Sequence, residues 1–183
     1  MSVSGRLRAF ALEGAEMYNI GDRVVYGTHG VCHVVNVEQR TVDRKIITYL
    51  VLEPFGQPGS KYLVPTHNAA AMSKLSPILS REALKALLSG ACFTDSAWIR
   101  EENARKQRYR ELISSGDRTA LLQMVAALYR HREEQEAAGR KVHLCDDNFL
   151  RDAEKLLCGE IALVLELEYE EARSYLRKAL TPQ

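Results

Sequence analysis

The sequence predicts an α+β protein, in which a small antiparallel β-barrel at the N terminus is followed by an all-α domain of about five helices. Two observations support this fold class. Residues 20–65 follow the period of two that is typical of strands, whereas from about residue 76 apolar residues recur with the helical period of 3.6. The length of 183 residues suits one or two globular domains. We expect a disordered extension at 1–16, the barrel at 17–72 and the helical domain at 73–183.

Short strand patterns fill the first half and are separated by turn signals. In chain order the segments are RVVY (23–26), VCHVVNVEQ (31–39), the polar turn TVDRK (41–45), IITYLVLE (46–53), the loop PFGQPG (54–59) and KYLVP (61–65). Four or five short strands in roughly 50 residues favour a strongly curved barrel of the SH3 or Tudor kind over a sandwich. The expected core residues are Val24, Val34, Ile47, Leu50, Leu52 and Val64.

Five helical patterns occupy the second half. They are SREALKALLSG (80–90), a longer helix from TDSAW to SSG (94–116), a helix that starts after Asp117 and fades near 137–139, a helix capped by Asp146, and EEARSYLRKAL (170–180). Ser80 and Asp117 are typical N-caps, because their side-chain oxygens accept hydrogen bonds from free backbone N–H groups. Gly90 permits the turn that ends a helix.

The residue pattern argues against a catalytic or metal centre. The four cysteines form no C-x-x-C pair and are typical of free thiols in a reducing cytoplasm. His29 and His33 lie four residues apart in a strand, and no H-E-x-x-H, phosphate-binding loop or nucleophile motif is present. Adjacent carboxylates such as Glu101 and Glu102 point about 100° apart on a helix, which suits a solvated face. We therefore expect no enzyme activity, no cofactor and no metal.

Charge and hydropathy limit the partners. The formal net charge is +1, so any contact with nucleic acid must come from a local patch. The longest apolar run near the C terminus, IALVL (161–165), is too short to span a bilayer. The first sixteen residues lack the apolar core and cleavage site of a signal peptide. We expect a cytoplasmic protein that does not associate with membranes.

One local patch combines a tryptophan with cations. Trp98 is the single tryptophan, and residues 100–110 contain five basic residues against two acidic ones, a local balance of +3. Cations on one rigid element fix register on a duplex, and an aromatic beside them can stack on a base or wedge at a distorted step. The candidate DNA contacts are Trp98, Arg100, Arg105, Lys106 and Arg108. The pattern taken alone favours the alternative, in which Trp98 anchors the start of a helix in the core.

Helical periodicity and charge also describe the residues around this patch. On a helical wheel Trp98, Arg105 and Tyr109 share one face. A second basic segment, LYRHREEQ (128–135), is charge-balanced and is expected to be a solvated face.

Aromatic residues of the barrel offer a surface for another protein. Small barrels commonly present an exposed edge strand or aromatic side chains to a partner, and Tyr26, Tyr49, Phe55 and Tyr62 are available here. We expect Tyr26 and Tyr62 to contact the partner. The alternative is that these side chains fill the barrel.

The motif GDRVVYGTHGVCHVVNVEQR, followed by YLVLE and KYLVP, resembles the N-terminal module of the bacterial CarD family and the RNA-polymerase-interacting domain of transcription-repair coupling factor. The similarity continues through SGD (115–117), ALYRHREEQ, AEKLL and EIALVL, and covers nearly all of 17–170. A short chain without an ATPase motif distinguishes it from a repair translocase.

This resemblance implies a transcription regulator without enzyme activity. The barrel would bind the β subunit of RNA polymerase, and Arg40 matches a basic family position used on polymerase. The helical domain would touch promoter DNA in the minor groove at the upstream edge of the melted bubble, with Trp98 as the wedge that favours the open complex of the housekeeping sigma holoenzyme. Two departures are Leu63, where some relatives carry a basic residue, and a helix after Trp98 about one turn longer than in actinobacterial relatives.

Two other functions are compatible with the residues alone. A protein-interaction adaptor of this architecture would never meet DNA, and a free-standing duplex binder would show affinity without polymerase and a steep salt dependence. Near-neutral net charge argues against the second. We expect a monomer, with a strand-swapped dimer as the alternative.

Overall fold

Five antiparallel strands form one curved sheet in the order β4-β3-β2-β1-β5. The structure is a computed structural model that describes residues 18–90, 98–141 and 143–181, so the expected extension at 1–16 lies outside it. The strands are β1 (Arg23–Tyr26), β2 (Val31–Val42), β3 (Lys45–Pro54), β4 (Tyr62–Pro65) and β5 (Leu75–Pro77). A 3₁₀ turn, Gly27–His29, separates β1 from β2, and the short helix α1, Ala69–Met72, precedes β5.

A long hairpin of β2 and β3 dominates the sheet. Pairing runs from Cys32 opposite Pro54 to Val42 opposite Lys45, with a bulge between Val34 and Asn36. The connection consists of Asp43 and Arg44, both at positive φ, as a two-residue hairpin turn requires. The turn is therefore shorter than the predicted 41–45. Neighbouring strands pair only with the other end of the hairpin, so its tip extends beyond them.

The barrel core confirms five of the six predicted residues. Val24, Val34, Leu50, Leu52 and Val64 are buried, and Cys32 and Leu75 complete the cluster. The prediction for Ile47 is wrong. It pairs with Arg40 in the extended part of the hairpin, where no other strand covers it, and it is only half-buried.

The fifth strand moves the domain boundary. β5 pairs with β1, placing Pro77 opposite Val24 and Leu75 opposite Tyr26. The sheet therefore extends to Pro77, and the predicted boundary at 72/73 cuts it too early. LSP has only three residues and ends in proline, so it carries no strand period that the sequence could show.

Five helices follow within the described residues, as predicted. They are α2 (Arg81–Gly90), α3 (Glu102–Ser115), α4 (Arg118–Ala137), α5 (Leu144–Leu165) and α6 (Tyr169–Leu180). The Ser80 and Asp117 side chains accept the expected capping hydrogen bonds from Ala83 N and Ala120 N. The α+β class, with a Tudor-like barrel before a helical domain, is confirmed. Among the described helices, none has the length and apolar character needed to cross a membrane.

Two helix starts differ from the prediction. The Glu101 carboxylate accepts the N–H groups of Asn103 and Ala104, so α3 begins at Glu102 and Trp98 precedes the helix. The helical wheel that grouped Trp98 with Arg105 therefore does not apply, and residues 94–97 lie outside the described ranges. Asp146 does not cap α5. It lies in the first turn, is buried and binds Arg105.

The barrel packs directly on the helical domain. A methyl group added at Gly30 would lie 3.7 Å from Leu156 Cδ2, and one at Gly159 would lie 3.9 Å from Val31 Cγ2. The loop Gly27–Gly30, which directly follows GDRVVY (21–26), thus faces α5 as well as shaping the barrel corner.

A buried carboxylate holds the connection between the domains. Glu160 of α5 is 4% exposed. Its Oε1 accepts the N–H of Leu79 at 3.0 Å, and both of its oxygens accept from the Arg118 guanidinium at 2.6 and 2.8 Å. Arg118 also donates to the carbonyl of Pro77 at 2.8 Å. The end of β5, the start of α4 and the C-terminal part of α5 therefore share one hydrogen-bond network.

Replacing Gly30 with alanine is expected to destabilise the protein by about 1–3 kcal/mol, because φ +74° with ψ −148° is a conformation that essentially only glycine adopts. Urea unfolding monitored by circular dichroism measures the change. Gly159→Ala is the matched control at the same interface. Its methyl group meets Val31 at ordinary contact distance and favours the helix, so little or no destabilisation is expected. Equal losses in both variants would contradict the conformational explanation.

Candidate functional site

The tip of the β2–β3 hairpin presents apolar and cationic side chains together. Ile46 is 72% exposed and Val42 is 40% exposed. Arg40 and Val42 lie on one face of the hairpin and Ile46 on the other, because paired residues share a face and successive residues alternate. The Arg40 Nε donates to Glu38 Oε1 at 2.6 Å. We call residues 38–47 the hairpin surface. Exposed apolar side chains with a pre-oriented guanidinium suit a protein partner better than bulk water.

Tyr26 and Tyr62 form a separate cluster with His29. The ring centroids of His29 and Tyr62 lie 4.0 Å apart, and those of His29 and Tyr26 lie 5.2 Å apart. Both tyrosines are partly buried against the barrel core. Burial, followed by the nearby Lys74, lowers the pKa of His29, so the imidazole is neutral at pH 7.

The two predicted sets of barrel contacts lie at different places. Tyr62 pairs with Leu52, whereas Arg40 pairs with Ile47, five residues away along β3. At the usual rise per strand residue this separation is about 17 Å. The structure therefore does not bring Tyr26 and Tyr62 onto the hairpin surface with Arg40.

Trp98 lies in a non-helical segment directly before α3 and packs against the helical core. Its ring stacks on His131 of α4, with centroids 3.6 Å apart and planes 14° apart. The Arg105 guanidinium carbon lies 4.5 Å from the ring centroid. Burial is the main cause that lowers the pKa of His131, so a neutral imidazole supports the indole at pH 7.

Arg105 lies in the interior rather than on the surface. It is 4% exposed, and its Nε and Nη2 donate to the two Asp146 oxygens at 2.9 and 3.0 Å. Its Nη1 donates to the carbonyls of Ile99 and Arg100. Four of the five N–H groups of this guanidinium are engaged within the protein, and its burial keeps it from reaching a phosphate. The predicted DNA contact by Arg105 is therefore replaced by a structural position next to Trp98.

The other predicted cations remain at the surface. Arg100 is exposed. Lys106 Nζ lies 2.5 Å from Glu102, and Arg108 lies 3.6 Å from Glu111, both as pairs within one helix. Exposed pairs of this kind contribute little free energy, so these cations can exchange a carboxylate for a phosphate at small cost.

The segment 128–135 does not form a solvated face. The Arg132 side chain binds Asp147 of α5, Arg177 of α6 lies 3.6 Å from Glu133, and Tyr129 donates to Glu154 at 2.5 Å. Sequence reasoning missed His131 as the support for Trp98. The available signal was its place three residues after Leu128, at the edge of the apolar stripe of α4.

Metal chemistry finds no support in the parts of the chain that are described. No group of three or more His, Cys, Asp and Glu side chains there could hold a metal ion. Burial raises the pKa of Cys32 to about 11 and that of Cys158 to about 12, so both thiols stay protonated at neutral pH.

Comparison with protein families identifies both halves of this arrangement. The family model described as the CarD-like/TRCF RID domain matches residues 18–76, which contain the five-stranded barrel and its hairpin. The model described as the CarD C-terminal domain matches residues 84–177, which contain Trp98 and most of the helical domain. The RID match makes this a transcription-related protein that binds RNA polymerase. With the two matches in chain order, the protein belongs to the CarD family of transcription factors, a non-enzymatic family.

Proposed function

We propose that this protein stabilises the open promoter complex of bacterial RNA polymerase. Its barrel binds the β subunit of the housekeeping sigma holoenzyme, and Trp98 contacts the minor groove at the upstream edge of the bubble. The observation that carries the proposal is the placement of Trp98. It stands outside a helix, supported by His131, and lies in a domain that packs on the polymerase-binding barrel.

The barrel side of the proposal rests on the hairpin surface. Ile46 is the most exposed apolar side chain there, and Arg40 supplies an oriented cation on the other face of the hairpin, beside Val42. Protein interfaces combine an apolar centre with arginine, and a paired guanidinium loses less entropy on binding. Tyr26 and Tyr62 lie at the other end of β3, so they would contribute a second, smaller contact region.

The DNA side combines one aromatic with three surface cations, Arg100, Lys106 and Arg108. Cations bind phosphates without reading the sequence, and they position the protein on the duplex. An aromatic side chain gains most at a step that is already unstacked, because unstacking an intact step costs a few kcal/mol. Trp98 therefore favours the opened junction over closed duplex.

Tethering explains why neither contact has to be strong. Once the barrel is bound to polymerase, the DNA contact is intramolecular, at an effective concentration of about a millimolar. The bound protein shifts the equilibrium between closed and open complexes only by the difference in its binding free energy for the two states. A difference of about 1.4 kcal/mol shifts the open-to-closed ratio tenfold. The contact slows collapse of the bubble.

Substitution of Arg40 by glutamate tests the barrel contact. We expect the affinity of the full-length protein for the isolated β-subunit fragment to fall at least about tenfold, because a cationic guanidinium at an interface is replaced by an anionic carboxylate. Surface plasmon resonance gives the dissociation constants. Lys178→Glu makes the same charge change on exposed α6 and should leave the affinity unchanged. Equal affinity of Arg40→Glu and the parent protein would remove Arg40 from the interface. Loss of β-subunit binding with no change in the open-complex lifetime would favour the adaptor function.

A further inference from the structure

The segment that carries Trp98 has no helical hydrogen bonds of its own to fix it. Residues 98–100 are non-helical, and α3 begins only at Glu102. A tryptophan that wedges into DNA must be held in one orientation before it binds, because ordering it on binding would cost free energy. The structure must therefore supply the restraint from elsewhere.

Arg105 makes contacts to both the backbone and the ring of this segment. Its Nη1 donates to the carbonyl of Ile99 at 2.9 Å and to that of Arg100 at 3.4 Å. The same guanidinium lies 4.5 Å from the Trp98 ring centroid, within the range of a cation–π interaction. One side chain therefore restrains the indole and the chain that follows it.

Asp146 fixes Arg105 in turn. Two parallel hydrogen bonds of 2.9 and 3.0 Å join the planar guanidinium to the carboxylate, a geometry that lysine cannot reproduce. Asp146 belongs to the first turn of α5 and is 2% exposed. Because Asp146 is buried and on another helix, it links the Trp98 segment to the helical core.

We infer that Arg105 and Asp146 are a positioning pair that holds Trp98 in its DNA-binding orientation. This inference rests on the proposed contact of Trp98 with promoter DNA. The pair does not touch DNA itself, since both side chains are buried and each nitrogen of the guanidinium donates within the protein.

The double variant Arg105→Gln/Asp146→Asn tests the inference. Neutralising both partners avoids leaving one buried charge unpaired, which would be strongly destabilising. Trp98 is the single tryptophan of the chain, so its fluorescence reports this site alone. We expect a red shift of its emission, stronger quenching by acrylamide, and loss of most of the open-complex lifetime gain. Arg105→Lys keeps the charge but not the fork, and we expect the same spectral change.

A second arginine–carboxylate pair provides the matched control. Glu154 of α5 is buried and accepts from Arg173 Nε at 3.0 Å. Glu154 lies eight residues beyond Asp146, about 12 Å along the helix. Arg173→Gln/Glu154→Gln should lower the melting temperature without changing Trp98 emission or quenching.

Four outcomes can be distinguished. A Trp98 signal that changes only in the Arg105 variants, together with a shortened lifetime, supports the positioning pair. An unchanged Trp98 signal, or an equal change in the control, overturns it and leaves only a structural ion pair. A changed signal with unchanged lifetime overturns the pair's role in function if Trp98→Ala does shorten the lifetime. If Trp98→Ala also has no effect, the DNA contact fails, while the spectral result still supports the positioning.

Discussion

Trp98→Ala is expected to abolish the stabilisation of the open complex while leaving polymerase binding intact. The indole is the single tryptophan of the chain and precedes a helix with surface cations. In the proposed function, its preference for an unstacked step is what favours the open state. If that preference is about 1.4 kcal/mol, the half-life of the open complex falls about tenfold relative to the parent protein. Filter binding after a heparin challenge measures the half-life at a stable promoter.

Two controls accompany this variant. Trp98→Phe retains a planar ring that can stack on His131, so it should keep part of the lifetime gain. Co-elution with the holoenzyme on size-exclusion chromatography should be the same for all three proteins, because the barrel is unchanged. An unchanged half-life for Trp98→Ala would remove the wedge from the mechanism.

Arg118→Ala is expected to produce the largest loss of stability, about 3–5 kcal/mol, because it leaves the buried Glu160 carboxylate without its charged partner. The loss also removes the hydrogen bond from Arg118 to the carbonyl of Pro77. Because this network joins the barrel to the helical domain, the DNA contact should weaken even at temperatures where the protein stays folded. Urea unfolding gives the stability, and the heparin assay gives the functional loss.

Arg177→Ala is the matched control for this prediction. Arg177 also pairs with a glutamate on a neighbouring helix, Glu133, but at 3.6 Å and with both side chains about half exposed. Exposed pairs contribute little, so we expect a change within about 0.5 kcal/mol. Comparable losses in the two variants would mean that burial of Glu160 does not determine the stability of this network.

The fold was predictable because local patterns and tertiary packing agree over most of the chain. The hairpin follows from two long runs of β-branched residues, and the helices follow from their caps and apolar stripes. The prediction that Ile47 belongs to the core was wrong, because alternation gives the face of a residue in a strand but does not say where the neighbouring strands end. β5 was missed because three residues are too few to show a period.

The surroundings of Trp98 could be predicted only in part. The cluster of cations after the tryptophan is visible in the sequence, but the sequence does not distinguish a basic side chain at the surface from one that pairs with a distant carboxylate. Arg105 and Asp146 are 41 residues apart, and nothing local indicates their contact. The same holds for His131, whose partner lies on another element. Long-range pairs of this kind require the tertiary structure.

The short connection between the domains has a consequence for promoter choice. Only Ile78, Leu79 and Ser80 separate β5 from α2, and Glu160 binds the middle residue of the three. In the proposed function, this short connection means that the point where the barrel docks decides which base-pair step the indole reaches. The protein's effect would then depend on the spacing between polymerase and the melted region rather than on the identity of the bases. Open complexes at promoters that melt one step too far upstream or downstream would not be stabilised.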